Sequence, residues 1–401
     1  MIPVAEAIRI VKAQTPVSRP ERVDLQSALG RILAEDIVAD SDLPPFDRSQ
    51  MDGYAVRAND VQETPSRLHV VGESAAGKGW HHEMRALEAV RIMTGAPVPS
   101  GADSVQQVEL TREVEGHVEI LEPVELGRSI VQRGSEITAG ETVLKAGVTI
   151  NAAMMAVLAS FGYAQVTVGK KPRVAVLATG SELVSVDQKP AQDQIRDSNN
   201  FSIAAYAQLA GAIVHRLPLA GDDRARLKDQ IAEAAAVSDV VVTSGGVSMG
   251  VYDFTKDSLK ELDAEIFFER VALRPGKPAV FARLPGGQLV FGLPGNPVSV
   301  AVTFNLFART ALQVMQGAKE PALVEESAVL TTNVKGAKER ESYLPAKLKP
   351  GEKGLLSVEP LKWGGSSDFV SFAQATALII VPANAKALDA GSVVKILQLP
   401  G

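Results

Sequence analysis

Five short segments of this chain carry side chains suited to anion and metal chemistry. Thr179-Gly180-Ser181-Glu182 closes an apolar run that begins at Arg173. Its backbone amides can receive an anion and the Glu182 carboxylate a cation, although an ordinary turn has the same composition. Ser244-Gly245-Gly246-Val247-Ser248-Met249-Gly250 follows a second apolar run, and its glycines let the backbone approach a phosphate or a flat heterocycle closely. A tight strand-to-helix connector would look alike. Asp253 stands where a helix should begin, as its cap or as a metal ligand. In Arg274-Pro275-Gly276-Lys277-Pro278 a stiff turn projects two cations, which suits a tetrahedral oxyanion; a solvated pair of charges is the alternative. Leu293-Pro294-Gly295-Asn296-Pro297-Val298-Ser299 places Ser299 and free amides at the entry of a long helix, as an anion seat or as plain helix entry with Pro297 in the first turn.

These segments share a position relative to the elements around them. Residues 173–316 alternate strand-like and helix-like runs. Strands are expected from Arg173, over Ala212–Ala220, Asp239–Thr243, Glu265–Leu273 and Gln288–Leu293; helices after Asp197, over Asp222–Val237, after Asp253 and from Asn296. That alternation predicts a parallel sheet wrapped by helices, a doubly wound domain in which ligands sit beyond the carboxyl ends of the strands. After Gly317 short alternating runs punctuated by glycine predict a small all-β domain. Before residue 170 an amphipathic helix at Met1–Pro16, with Ile2, Val4, Ile8 and Val11, leads into valine-rich short strands between 68 and 150. Two loops there, Pro44–Val56 and Ile92–Asp103, are rich in Pro, Gly and Asp, and serve either as connectors or as binding loops.

Composition excludes several classes. At 401 residues the chain exceeds one ordinary core and should form two to four domains. A net charge of -6 repels DNA and anionic bilayers, so an anionic ligand must be drawn by a local basic pocket. No basic stretch precedes a continuous apolar segment at the N-terminus, and the richest apolar run, Ala152–Ala164, is interrupted by Ser160 and Gly162. Neither an export signal nor a membrane span is therefore expected. With no cysteine, thiolate chemistry and protein-held iron-sulfur clusters are out of reach. His81-His82-Glu83 lacks zinc-site spacing and should be an exposed loop.

Taken in order, PPFDRSQMDGYAV (44–56), MTGAPVPSGAD (93–103), SGGVSMGVYDF (244–254), PGKP (275–278) and LPGNPVSV (293–300) resemble the molybdopterin molybdenumtransferases of the MoeA and gephyrin E-domain family. The resemblance implies a cytoplasmic, elongated homodimer of four-domain subunits. Their bounds here would be 1–45 with 138–170 for a linking and dimerisation domain, 46–137 for an inserted β domain, 171–317 for the α/β domain and 318–401 for a terminal barrel-like β domain. The active site would lie between the α/β domain of one subunit and the inserted domain of the other. The family converts adenylylated molybdopterin and molybdate into molybdenum cofactor and AMP with Mg2+ or a similar divalent cation.

On that footing Glu182, Asp222 and Asp253 would hold the cation, with Lys277 also catalytic, and Arg274, Lys277 and Ser299 would receive molybdate. Gly180, Ser181, Asp197 and Ser198 would contact the pterin substrate, as would Gly245, Gly246 and Ser248 and then Pro294, Gly295 and Asn296. Asp52 and Thr94 would reach across the dimer, while Arg340 and Ser371 would close over the oxyanion. One departure is Arg274, where many members have lysine; charge is kept, but a point donor becomes a planar fork. Partners implied are the small-molecule substrates and other proteins of cofactor biosynthesis, with neither nucleic acid nor membrane among them. A non-catalytic molybdopterin carrier or scaffold is the competing reading, disfavoured by the retained acid and base array. A stand-alone adenylyltransferase would need neither the N-terminal 170 residues nor the terminal β domain. Asp253→Ala is expected to abolish molybdate-dependent AMP release and leave binding of adenylylated molybdopterin largely intact; lost binding would make Asp253 a structural cap.

Overall fold

The computed structural model describes residues 1–219, 224–246, 254–351 and 354–400. Two compact units form, one from Met1–Glu35, Ala146–Asn151 and Gln165–Gly401, the other from Asp36–Lys145 and Ala152–Ala164.

The first unit contains an α/β sandwich and a β-barrel. In chain order the sandwich comprises β1 (Arg173–Ala178), α1 (Asn199–Leu209), β2 (Ile213–Arg216), α2 (Arg224–Val237), β3 (Val240–Ser244), α3 (Phe254–Glu261), β4 (Glu265–Arg270), β5 (Pro278–Arg283), β6 (Leu289–Leu293) and the long helix α4 (Pro297–Met315). The sheet order is β2-β1-β3-β6-β5-β4. Residues alternate across it as a two-residue period requires. Val174 and Val176 of β1 join the core that holds α1 and α4, and Ala175 and Leu177 join the core that holds Leu227 and Ile231 of α2 and Leu259 of α3. The N-terminal helix Val4–Gln14 buries Val4, Ala7 and Val11 in the first of these cores, on the apolar stripe its periodicity predicted.

Two details depart from a wholly parallel sheet. β2, β1, β3 and β6 run parallel, whereas β6, β5 and β4 pair antiparallel. The short connection Leu284–Gln288, with Gly287 at φ 90°, allows only a hairpin. Pro278–Arg283 was not expected as a strand because prolines and glycines flank it on both sides. The expected strand Glu265–Leu273 breaks after Arg270; Leu273–Arg274 then pairs in parallel with Glu341–Ser342 of the barrel.

The barrel closes completely. Glu341–Pro350 pairs with both Leu356–Pro360 and Ala377–Val381; these pair respectively with Glu325–Leu330 and Val393–Gln398, which pair with each other. Each of these five strands thus has a partner on both sides, and the barrel encloses Leu330, Ala346, Val358, Ile379 and Ile396.

By length and composition alone α4 could cross a membrane, but 83% of its 18-residue apolar window is buried, and it packs as a core helix of the α/β domain. Its polar residues are accommodated within that core: Thr303, Asn305 and Thr310 turn back to donate to the carbonyls of Ser299, Ala301 and Leu306.

In the second unit a six-stranded sheet is ordered Ser104–Gln107, Gly53–Val56, Glu88–Ile92, Ser66–Ser74, His117–Ile120, Thr111–Val114. Tyr54, Val56, Leu68 and Ile120 pack on one face, and Ala55, Val90, Ile92 and Val105 on the other. His81, His82 and Glu83 are exposed.

Candidate active site

The chain leaves β1 for β2 on one side and returns to β3 on the other, so the loops after β1 and β3 diverge at the switch point of the sheet. A cleft of about 970 Å³ opens there. Thr179, Gly180 and Glu182 line it after β1, Ser244, Gly245 and Gly246 after β3, and Pro294, Gly295 and Asn296 after β6; Asp197, Ser198 and Asn199 complete the wall at the start of α1. At Gly245 the glycine is required by space as well as by torsion. It has φ 91°, and a Cβ there would meet the Thr179 carbonyl oxygen at 2.5 Å. Asn199 ties the floor together, its amide donating to Ser244 Oγ at 3.1 Å and to the Gly295 carbonyl at 2.7 Å.

The acidic groups differ in setting. Glu182 is exposed on the cleft wall with its carboxylate over Gly180, where a Cβ would lie 2.5 Å from Glu182 Oε2. Asp197 is 5% exposed, and burial pushes its carboxyl above the usual range against the Asn200 amide that donates to Oδ1 at 3.1 Å and the Arg216 charge. Ser181 does not line the cleft. Asp222, Ser248 and Asp253 lie outside the described residues. Among the described residues no three acidic or histidine side chains are grouped to hold a metal.

Adjoining this cleft is a smaller cavity of about 370 Å³, lined by Arg274, Lys277, Ser299 and Arg340 together with Trp363, Gly365 and Ser366. It shares Pro278, Pro294 and Asn296 with the larger one. Three elements converge to make it. The pairing of Arg274 with Ser342 brings Arg340 alongside the Arg274 turn. The turn itself contains a cis Arg274–Pro275 peptide and Gly276 at φ 113°, whose missing Cβ would lie 2.5 Å from Thr303 Cγ2 on α4. Ser299, 4% exposed, comes from the first turn of α4. Among the described residues no carboxylate pairs with Arg274, Lys277 or Arg340, so three positive charges share one small space uncompensated. Such a space favours a compact dianion.

Ser371 lines neither cavity; its hydroxyl donates to Asp368 Oδ2 at 2.8 Å and its amide to Oδ1 at 3.0 Å, in the cap of the short helix Phe369–Phe372. The lining residues that the barrel side supplies escaped the sequence reading: Trp363, Gly365 and Ser366 at the smaller cavity, Ser367 and Phe369 at the larger. The Trp363-Gly-Gly-Ser-Ser-Asp-Phe369 string was their only signal, and in a β domain it resembles any glycine-rich turn. Asn199 and the neighbouring Gln194, Ile195 and Arg196 on the larger cleft had no such signal either.

In the second unit the two upstream motifs are knit together. Gly95 donates to the Ser49 carbonyl at 2.8 Å, Ser49 to that of Ala96 at 3.0 Å and Val98 to that of Asp47 at 2.8 Å. Thr94 donates to Asp52 Oδ1 through its amide at 2.7 Å and its hydroxyl at 2.8 Å, which holds the Asp52 carboxyl below the usual range.

Comparison with known proteins matches residues 2–162 to the family described as the MoeA N-terminal region (domain I and II). Residues 175–314 match the probable molybdopterin binding domain, and 327–399 the MoeA C-terminal region (domain IV). A molybdopterin molybdenumtransferase of Staphylococcus aureus is 37% identical over 402 residues, covering 99% of this chain and 95% of the relative. One of Staphylococcus epidermidis is 35% identical over the same shares. Two crystal structures of a molybdopterin biosynthesis MoeA protein from Pyrococcus horikoshii align over all of both chains, with TM-scores of 0.83 at 33% identity and 0.86 at 28%.

The setting of Asp197 has a consequence for pH. A carboxyl whose folded pKa lies above its unfolded value adds stability below the unfolded value and loses it as pH rises through the folded one. Between about pH 4 and about pH 7 the thermal midpoint of the wild type should therefore fall relative to that of Asp197→Asn. A wild type that gains on the variant over that interval would show that the Asn200 amide and Arg216 outweigh burial.

Proposed function

The chain belongs to the MoeA family of molybdopterin molybdenumtransferases, and we propose that its two adjoining cavities divide the reaction, the larger taking adenylylated molybdopterin and the smaller molybdate. The protein is a transferase of molybdenum cofactor biosynthesis that inserts molybdenum into molybdopterin. Its relatives carry the transferase name over nearly the whole chain, and the transferase stands over the non-catalytic carrier.

The observation that carries the division is the convergence of Arg274, Lys277, Arg340 and Ser299 on one cavity with no carboxylate partner among the described residues. Molybdate is a tetrahedral dianion, and guanidinium, ammonium and hydroxyl donors together suit its oxygens. In the larger cleft Gly245, Gly246 and Gly295 present bare backbone to a flat pterin and a pyrophosphate, as the low side-chain cover there permits. The wall shared at Pro294 and Asn296 would bring the two substrates side by side, and cleavage of the pyrophosphate would release AMP. A divalent cation would be held by Glu182 with Asp222 and Asp253, and would neutralise phosphate charge. The Glu182 carboxylate, exposed in the cleft and without an ion pair among the described residues, is the kind of hard oxygen donor such an ion takes. Asp52 and Thr94, in the second unit, would reach across the dimer to the substrate of the other subunit.

The same reading includes a cytoplasmic homodimer. Helix Ala152–Ser160 has no charged residue and leaves Ala152, Ala153, Ala156 and Ala159 exposed, an apolar face that a second copy would cover. Ala156→Glu should then convert a dimer to a monomer in light scattering; a wild-type monomer at micromolar concentration would remove the dimer from this reading.

The purified protein should release AMP from adenylylated molybdopterin in Mg2+ only when molybdate is present. Lys277→Ala should raise the molybdate concentration for half-maximal release about tenfold, the worth of one charge-assisted hydrogen bond. AMP release indifferent to molybdate in the wild type would overturn the reaction; an unchanged molybdate requirement in the variant would overturn the pocket.

A further inference from the structure

Asn296 lines both cavities, yet its side chain is already engaged by protein. Its Nδ2 donates to Ser366 Oγ at 2.9 Å, and its Oδ1 accepts from Ser367 Oγ at 3.4 Å. Within the first turn of α4, the Val298 amide donates to the Ser366 carbonyl at 3.0 Å. Both serines belong to the segment Trp363–Phe369 that emerges from the barrel. Asp368 knits that segment into a unit, accepting from the Gly364 amide at 2.8 Å and donating its own amide to the Gly365 carbonyl at 3.0 Å. The segment supplies Trp363, Gly365 and Ser366 to the smaller cavity, Ser367 and Phe369 to the larger.

We propose that Asn296 is a positioning residue, a latch that seats segment 363–369 over both cavities and so makes the binding of the two substrates interdependent. A primary amide offers two donor and two acceptor positions, and one of each kind is spent on the two serines. What remains is poorly placed to be the principal contact of either substrate. Tied together by Asp368, the segment would respond as one body, so that a ligand holding it from one cavity removes part of the ordering cost for a ligand entering the other. The inference rests on the assignment of the cavities to the two substrates.

The test uses full-length protein and three variants: Asn296→Ala, the double variant Ser366→Ala/Ser367→Ala, and the triple combination. Hydrogen exchange without substrates reads the latch directly. Backbone amides in 363–369 should exchange faster in Asn296→Ala and equally fast in the double variant, with the thermal midpoint little changed. In AMP-release kinetics each variant should raise the KM for both adenylylated molybdopterin and molybdate by about tenfold, and the triple variant no further, because the residues act as one unit. Unchanged exchange in 363–369, a rise in only one KM, or multiplying effects in the triple variant would overturn the latch and make Asn296 an ordinary ligand contact. Failure of the cavity assignment shows separately, as a Lys277→Ala protein with a wild-type molybdate requirement alongside faster exchange in Asn296→Ala.

Discussion

Like charges held close together repel, and a protein that gathers Arg274, Lys277 and Arg340 around about 370 Å³ must supply the restraint that keeps them there. In water three such side chains would splay apart. Here the backbone of each is fixed from a different direction. Arg274 is pinned by strand pairing with Ser342, Lys277 follows a turn packed on Thr303, and Arg340 immediately precedes the longest strand of a closed barrel. The departures from a simple doubly wound fold serve this restraint. Had the strand from Glu265 continued unbroken to Leu273, the Arg274 turn would have no partner in the barrel, and Arg340 no route to the α/β domain.

The break after Arg270 also helps the α/β sandwich and the barrel act as one support, alongside the apolar cluster that Phe291 and Phe304 of the one share with Tyr343, Leu378 and Ile380 of the other. The α/β sandwich contributes Ser299 and Asn296 from the entry of α4, while the barrel contributes Arg340 and the 363–369 segment. Leu273–Arg274 belongs in sequence to the first and in hydrogen bonding to the second. A site assembled in this way is sensitive to the seating of the barrel, which a site carried wholly on β1, β3 and β6 would not be.

Much of this was legible in the chain, and the reason is local. Glycines after strands, a Pro-Gly turn flanked by cations and a Pro-rich helix entry each have a short-range physical signature, so Gly180, Gly245, Gly246, Lys277 and Ser299 could be picked out and do line the two cavities. Closure of the barrel and the partition of strands were harder. Pro278–Arg283 is bracketed by turn residues and was passed over, though Val280, Phe281 and Ala282 are almost fully buried. Trp363, Ser366 and Phe369 acquire meaning only from tertiary placement, since nothing within their own segment indicates that it lies against α4. Ser371 illustrates the converse: its motif position suggested an oxyanion contact, whereas its hydroxyl is taken up in capping by Asp368.

Preorganisation is the advantage of such an arrangement. Donors that must reorient around an anion spend binding energy on their own ordering, while donors fixed beforehand do not. Gly276 shows how the fixing is done. At φ 113°, with Thr303 Cγ2 2.5 Å from the place of its absent Cβ, it lets the cationic turn rest directly on α4. That helix is 83% buried, and Thr303 is itself held by its bond to the Ser299 carbonyl. The same turn of helix thus supports the cations from below and presents Ser299 from the side. Any movement of the turn toward solvent would lose its packing on a deeply buried helix, so repulsion among the three cations is opposed by the core itself rather than by countercharges that would compete with a bound anion.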